Sequence, residues 1–237
     1  MTIPISMIAY CLSKKMMSPL KLYVLLKYTT SGHFKINRYT VNEVCRKLKW
    51  KDKSTFNNNL KALLDAGFVC INRKRNSVRI KSYAKVAAKL KMQGRTGVVF
   101  TMKDFSSFRP FCYAAIVHFY MRYKYHREKS SARKTGGARL DRHTGEKTMP
   151  VRYLSRVLKL DHSTISKYRK AAHNEGYIRL VPRYRNLHEP AERIDEFKMI
   201  VPINIAPKYI VVNHDICIQK ASVIYSSMEL RRKRVRT

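Results

Sequence analysis

The chain is short of acid. Of 237 residues only 15 are Asp or Glu, against 50 Lys or Arg, a formal net charge of +35. Self-repulsion at that charge disfavours a compact state unless a polyanion relieves it. Nucleic acid is the expected polyanion, with an anionic membrane surface as the alternative. Long apolar runs are also lacking: no stretch of ~18 consecutive apolar residues occurs, so no spanning helix and no membrane partner are expected. The five cysteines (Cys11, Cys45, Cys70, Cys112, Cys217) include no close pair. An odd, scattered set is expected as reduced, mostly buried thiols in a cytoplasmic protein. The opening residues, MTIPISMIAYCLSKK, start uncharged and are interrupted by Pro4 and Ser6, unlike a signal peptide.

Catalytic signatures are missing too. There is no GxxxxGK[ST] phosphate loop, no His-x-His pair and no Arg/His set around a tyrosine. Glu196-Phe197-Lys198 beside Asp195 reads as a chance triplet in a charged chain. Residues 143–147, HTGEK, match a zinc-finger linker, but no short-spaced cysteine pair precedes them. Cys112, His118 and His126 are not all spaced one helical turn apart, so they are not expected to hold a metal. No enzyme activity, catalytic residue, cofactor or metal is expected. Hydrophobic residues nevertheless make up 45% of the chain, enough to build cores rather than a disordered basic tail.

What is present is an internal repeat. Residues 40–50, TVNEVCRKLKW, match 150–160, PVRYLSRVLKL, at an offset of 110. Val41/Val151, Arg46/Arg156, Leu48/Leu158 and Lys49/Lys159 are identical. The offset then becomes 109, and 52–69, DKSTFNNNLKALLDAGFV, match 161–178, DHSTISKYRKAAHNEGYI. Upstream, Pro19 and Pro110 each stand at the start of an apolar helical stretch, 91 residues apart. Two units of this length point to duplicated domains rather than a solenoid.

Each unit reads as helix, helix, turn, helix, strand pair. In the first, a helix over 19–29 precedes one over 40–48, with Thr40 as N-cap and Val44 and Leu48 facing inward. Asp52 caps the third helix. Phe56, Leu60, Leu63 and Leu64 form its inner stripe. Ser54, Asn57, Asn58 and Lys61 form an outer stripe without an acid. Gly67 ends it. Residues 68–82 then alternate as a hairpin with a basic tip at 73–76. In the second unit, Val151, Leu154 and Leu158 face inward, Asp161 caps the third helix, and Ile165, Tyr168 and Ala172 form its inner stripe. Ser163, Ser166, Lys167 and Lys170 repeat the outer stripe, and Gly176 ends the helix. The return strand is expected at 197–203, FKMIVPI, after a long wing carrying Arg183, Arg185 and Arg193.

This order, with its Gly-[Phe/Tyr]-[Val/Ile] step from helix into strand, resembles the winged-helix family over roughly 18–82 and 106–203. Two such units in one basic chain also resemble the replication initiators of plasmids and phages. The expected fold class is therefore α+β, mainly helical, with two tandem winged-helix domains and β-hairpin wings. The domains are placed at 1–103 and 104–206, with 207–237 as a C-terminal extension. The resemblance implies that each third helix enters the major groove and each wing touches the adjacent backbone or minor groove.

The expected DNA-binding residues are Lys53, Ser54, Asn57, Asn58 and Lys61 on one helix, and His162, Ser163, Ser166, Lys167 and Lys170 on the other. Arg73, Lys74, Arg75, Arg79 and Lys81 belong to the first wing, and Arg183 and Arg185 to the second. Asn pairs with adenine through two hydrogen bonds, so Asn57 and Asn58 suit base reading, whereas the Ser/Lys set suits phosphates and guanine acceptors. The basic insertion 126–147 and the tail RRKRVR at 231–236 are expected to track phosphates. MTIPISMIAY is expected to add a strand or helix, and 209–225 to form strand or a homodimer contact. A replication initiator or transcription regulator bound to the nucleoid is the first expectation. Sequence-independent coating or packaging, including in a phage particle, and RNA binding remain the alternatives.

Overall fold

A computed structural model describes residues 1–72, 76–94, 96–134, 146–200, 208–226 and 228–232. The chain begins with β1 (Thr2–Pro4) and α1 (Ile5–Ser13). The first unit follows: α2 (Met17–Thr29), β2 (His33–Lys35), α3 (Arg38–Leu48), α4 (Lys53–Asp65), β3 (Val69–Asn72) and β4 (Ser77–Ile80). A connection holds α5 (Tyr83–Lys89), β5 (Thr96–Val99) and a 3-10 turn at Met102–Phe105. The second unit comprises α6 (Phe108–Lys134), β6 (Glu146–Thr148), α7 (Val151–Leu158), α8 (His162–Asn174), β7 (Arg179–Pro190), α9 (Ile194–Ile200), β8 (Tyr209–Val212) and β9 (Asp215–Tyr225). Last comes β10 (Leu230–Arg232). The class is α+β, helix-rich with small antiparallel sheets.

The two units share one plan. The sheet of the first runs β2-β4-β3, with Phe34 opposite Val78 and Val69 opposite Ile80. That of the second runs β6-β9-β7. The helices keep the spacing of the sequence repeat. α2 and α6 begin 91 residues apart (108 − 17), and α4 and α8 begin and end 109 apart (162 − 53, 174 − 65). Lys49 and Lys159, which close α3 and α7, both sit in the left-handed region at φ 55° and 53°. Gly67 and Gly176 both have φ +75°. Each donates its N–H back into the last helical turn, to Leu64 and His173 respectively, and the next residue does the same to Leu63 and Ala172. A Cβ at that φ costs about 1–2 kcal/mol, which is why the residue is glycine in both copies.

The inward stripes are buried as their spacing requires. Phe56 and Leu63 are wholly buried on α4, as are Ile165 and Ala172 on α8. Burying one such large apolar side chain stabilises by roughly 1.5–3 kcal/mol, so these helices are held by packing. Tyr23 on α2 ties the first unit together: its ring meets Phe68 edge-on at 5.1 Å, and its hydroxyl donates to the Lys81 carbonyl at 2.7 Å.

One continuous core joins the units. Phe100, Phe105, Phe108 and Phe111 cluster at the junction, with centroids 4.8 to 5.7 Å from Phe100. Tyr177 packs on Phe111 and donates to Asp104 at 3.1 Å, while Ser107 donates to Glu175. Those bonds fix the end of α8 to the connecting segment. A third sheet, β1-β5-β10, fastens both ends of the described chain to the same connection.

Several local expectations need correction. Thr40 is not the N-cap of α3. Asn37 is, and Thr40 completes a reciprocal box with it three residues in, so α3 starts at Arg38. Asp161 precedes α8 but makes no capping side-chain bond, unlike Asp52. The expected return strand 197–203 is helical over 197–200, and 201–203 lie outside the described residues. Residues 194–200 are α9, helped by Asp195 and Glu196 in its first turn. The strand that returns is β9, from the segment set apart as 207–237. Within 126–147, residues 126–134 prolong α6 and 146–148 form β6, while 135–145 lie outside the described residues.

Candidate nucleic-acid interface

α4 is positioned from both sides. Its buried stripe seats it against α2 and α3, and Asp52 fixes its first turn. The Asp52 carboxylate accepts from the Thr55 amide at 2.8 Å and the Ser54 hydroxyl at 2.6 Å. The Ser54 bond first, then the Thr55 amide, hold this carboxyl below the usual aspartate range. Asn59 turns inward and donates to the Thr55 carbonyl at 2.7 Å. Lys53, Ser54, Asn57, Asn58 and Lys61 are left exposed on the outer flank.

α8 presents the same flank one repeat later. His162, Ser163, Lys167 and Lys170 are exposed, and Ser166 is half-buried. Its thirteen residues contain no acid. Lys61 and Lys170 occupy equivalent positions, as do Asn57 and Ser166. One departure was not foreseen. Arg169 stands where Leu60 stands in the first unit. It turns partly inward and donates to the Met149 carbonyl. Matching it to a buried leucine was the available signal.

The wings are less alike. Arg79 is exposed on β4, between buried Val78 and Ile80, and opposite Cys70. Lys81 follows the end of β4 at the base of the hairpin and is half-buried, with its carbonyl taken by Tyr23 and Lys27. Arg73, Lys74 and Arg75 lie outside the described residues. In the second unit, Arg183 and Arg185 sit on β7 itself, opposite Lys220 and Ile218 of β9. Pro182 to Arg185 are exposed on both faces of the strand, so this stretch stands away from the core. Arg193 is engaged by Glu189 at 2.9 Å and Glu196 at 3.1 Å, which occupies the Glu196 carboxylate as well.

Known protein families, characterised proteins and solved structures offer no match to this chain. The site therefore stands on its own geometry. The exposed flanks of α4 and α8 offer amide, hydroxyl and ammonium groups, a set that donates to phosphate and to base edges. Among the described residues, no group of three His, Cys, Asp or Glu is placed to hold a metal. None of the described helices is long and apolar enough to cross a membrane. The segment 209–225, expected as strand or dimer contact, pairs within the chain as β8 and β9 and buries Ile216, Cys217, Val223 and Ile224. All five cysteines are free. Four are buried and Cys70 is half-buried. Burial pushes the Cys11 thiol up to about 12, which leaves it protonated and unreactive.

Proposed function

We propose that the chain binds double-stranded DNA through the outer flanks of α4 and α8, each unit acting as a winged helix. The observation that carries this reading is the repeated one. Two units with the same strand order each turn a polar and cationic helix flank outward, with Asp65 at the end of α4 the one acid on either helix, in a chain of net charge +35. A helix of this width fits the major groove. Asn57 and Asn58 supply the base-reading amides. Lys53, Lys61, Lys167 and Lys170 supply phosphate contacts, and Arg79, Arg183 and Arg185 extend them along the backbone. The role that fits a site-reading pair of units is that of a replication initiator or transcription regulator of a mobile element.

Sequence-independent coating is the competing reading, favoured by the charge and by Ser166 and Lys167 standing on α8 where Asn57 and Asn58 stand on α4. Affinity for random duplex compared with a selected site, across salt, separates the two. A site reader favours its site by roughly 10³-fold or more, and Asn57→Ala with Asn58→Ala erodes that ratio. A ratio near unity refutes site reading.

A further inference from the structure

We propose a second contact point in the seam between the units: a cleft lined by Lys21, Arg109 and Ser18 that takes a phosphate group of the nucleic-acid backbone. The proposal rests on the duplex-binding reading for the source of that phosphate.

The cleft encloses about 280 Å³ between the start of α2, the start of α6 and the turn leading into α4. Met17 and Phe108 form a buried floor. Lys21 and Arg109 line it from opposite units, with Trp50 on one wall and Ser18 and Ser106 beside them. Arg109 donates to the Ser18 hydroxyl at 3.2 Å, which leaves that hydroxyl's own proton free to turn to a ligand. No carboxylate lines the cleft.

Two cations lining one cleft without an acid is a costly arrangement. The Lys21 ammonium is held below the ordinary lysine value by burial, then by Arg109 and Lys49. Local helix chemistry adds to the cost. Arg109 is the second residue of α6, where the helix N-terminus disfavours positive charge, and Lys21 directly follows the first turn of α2. Neither first turn carries an acid, and α2 has no side-chain cap. Lys49 takes up a left-handed conformation that glycine or asparagine would adopt more cheaply. Several local rules thus break at one spot, as they do where a site is built. A bound phosphate relieves the electrostatic costs: it neutralises the cations, accepts from Ser18, and faces two helix N-termini. Trp50 follows Lys49 in the turn that ends two residues before α4, so the cleft would hold the backbone next to the proposed reading helix.

Trp50 is the sole tryptophan of the chain, so its fluorescence reports on this cleft and on the turn that carries it. The test compares the full chain with a Lys21→Gln, Arg109→Gln double variant. Neither side chain forms an ion pair among the described residues, and Arg109→Gln removes a cation from a first helical turn, so the melting temperature is held. Titration with random-sequence duplex is followed by Trp50 emission and by anisotropy of a labelled duplex. The expected result is a saturable Trp50 change in the wild type. The variant should bind about tenfold or more weakly, with the log–log salt slope reduced by about 1. If the wild type binds duplex but the variant matches it in affinity and slope, the cleft is refuted and the helix-flank reading stands. If the wild type binds no duplex, the helix-flank reading fails. Inorganic phosphate then decides the cleft: a saturable Trp50 response lost in the variant keeps it as a site for free phosphate, and no response overturns it.

Discussion

Replacing Lys61 and Lys170 by glutamine tests whether both units engage the duplex. The two positions are equivalent, 109 residues apart, exposed, and on the outer flanks of α4 and α8. Neither forms an ion pair among the described residues, so removing the charge breaks no internal contact and leaves stability within about 0.5 kcal/mol. Each phosphate neutralised contributes about 0.9 to the slope of log K against log salt. Raising salt fourfold, from 50 to 200 mM, therefore weakens the wild type about 3.5-fold more than either single variant. The helices belong to different units and share no partner, so the effects should add. The double variant should show about 12-fold less salt weakening than the wild type over that range. Duplex anisotropy at five salt concentrations measures all four slopes. A change in only one single variant means that one unit binds. Four equal slopes, with binding retained, refute the placement of phosphate contacts on these flanks.

Three further outcomes follow from the packing. Gly176→Ala should cost about 1–2 kcal/mol, because nothing lies within 4 Å of the added Cβ and the cost is purely that of φ +75°. Calorimetry should show a melting temperature lower by about 2–8 °C, and an unchanged value would contradict the helix-end geometry. His118 is buried with its Nδ1 unpartnered, and burial, then Arg122, hold its pKa below the ordinary 6.5 against a hydrogen bond to the Ser226 backbone. Its neutral form stabilises the fold above the unfolded value, and that contribution is lost as pH falls from 6.5 through the lowered one. Melting temperature should drop between pH 7.5 and 5.5, less so in His118→Gln; identical profiles would sink the assignment. A thiol reagent should titrate Cys70 quickly in the folded protein, and Cys11 and Cys112 only after denaturation. Rapid reaction of Cys112 would contradict its burial.

Much of this was legible because local signals repeated. The Asp52 cap, the Phe56-Leu60-Leu63 stripe and Gly67 bound α4 within a few residues, and Ile165, Ala172 and Gly176 place α8 in the same way. What the sequence hid depends on distant partners. β2 and β6 are three-residue strands defined only by pairing with β4 and β9, far along the chain. The stretch 197–203 alternates Phe197, Met199 and Val201 like a strand. Its described part, 197–200, belongs to α9, whose first turn carries Asp195 and Glu196, and the strand position is filled by β9. Leu60 and Arg169 show that the repeat conserves position without conserving chemistry. The seam cleft was invisible because Lys21 and Arg109 lie on helices from different units, although Arg109 in the acid-free first turn of α6 was a readable warning.

Lysine footprinting with and without saturating duplex probes the central claim most directly. The full chain is acylated briefly, and each lysine is quantified by mass spectrometry. Lys53, Lys61, Lys167 and Lys170 should all lose reactivity when duplex is bound. If those four stay as reactive as in the free protein while other lysines are shielded, the duplex lies elsewhere and the helix flanks are not the interface.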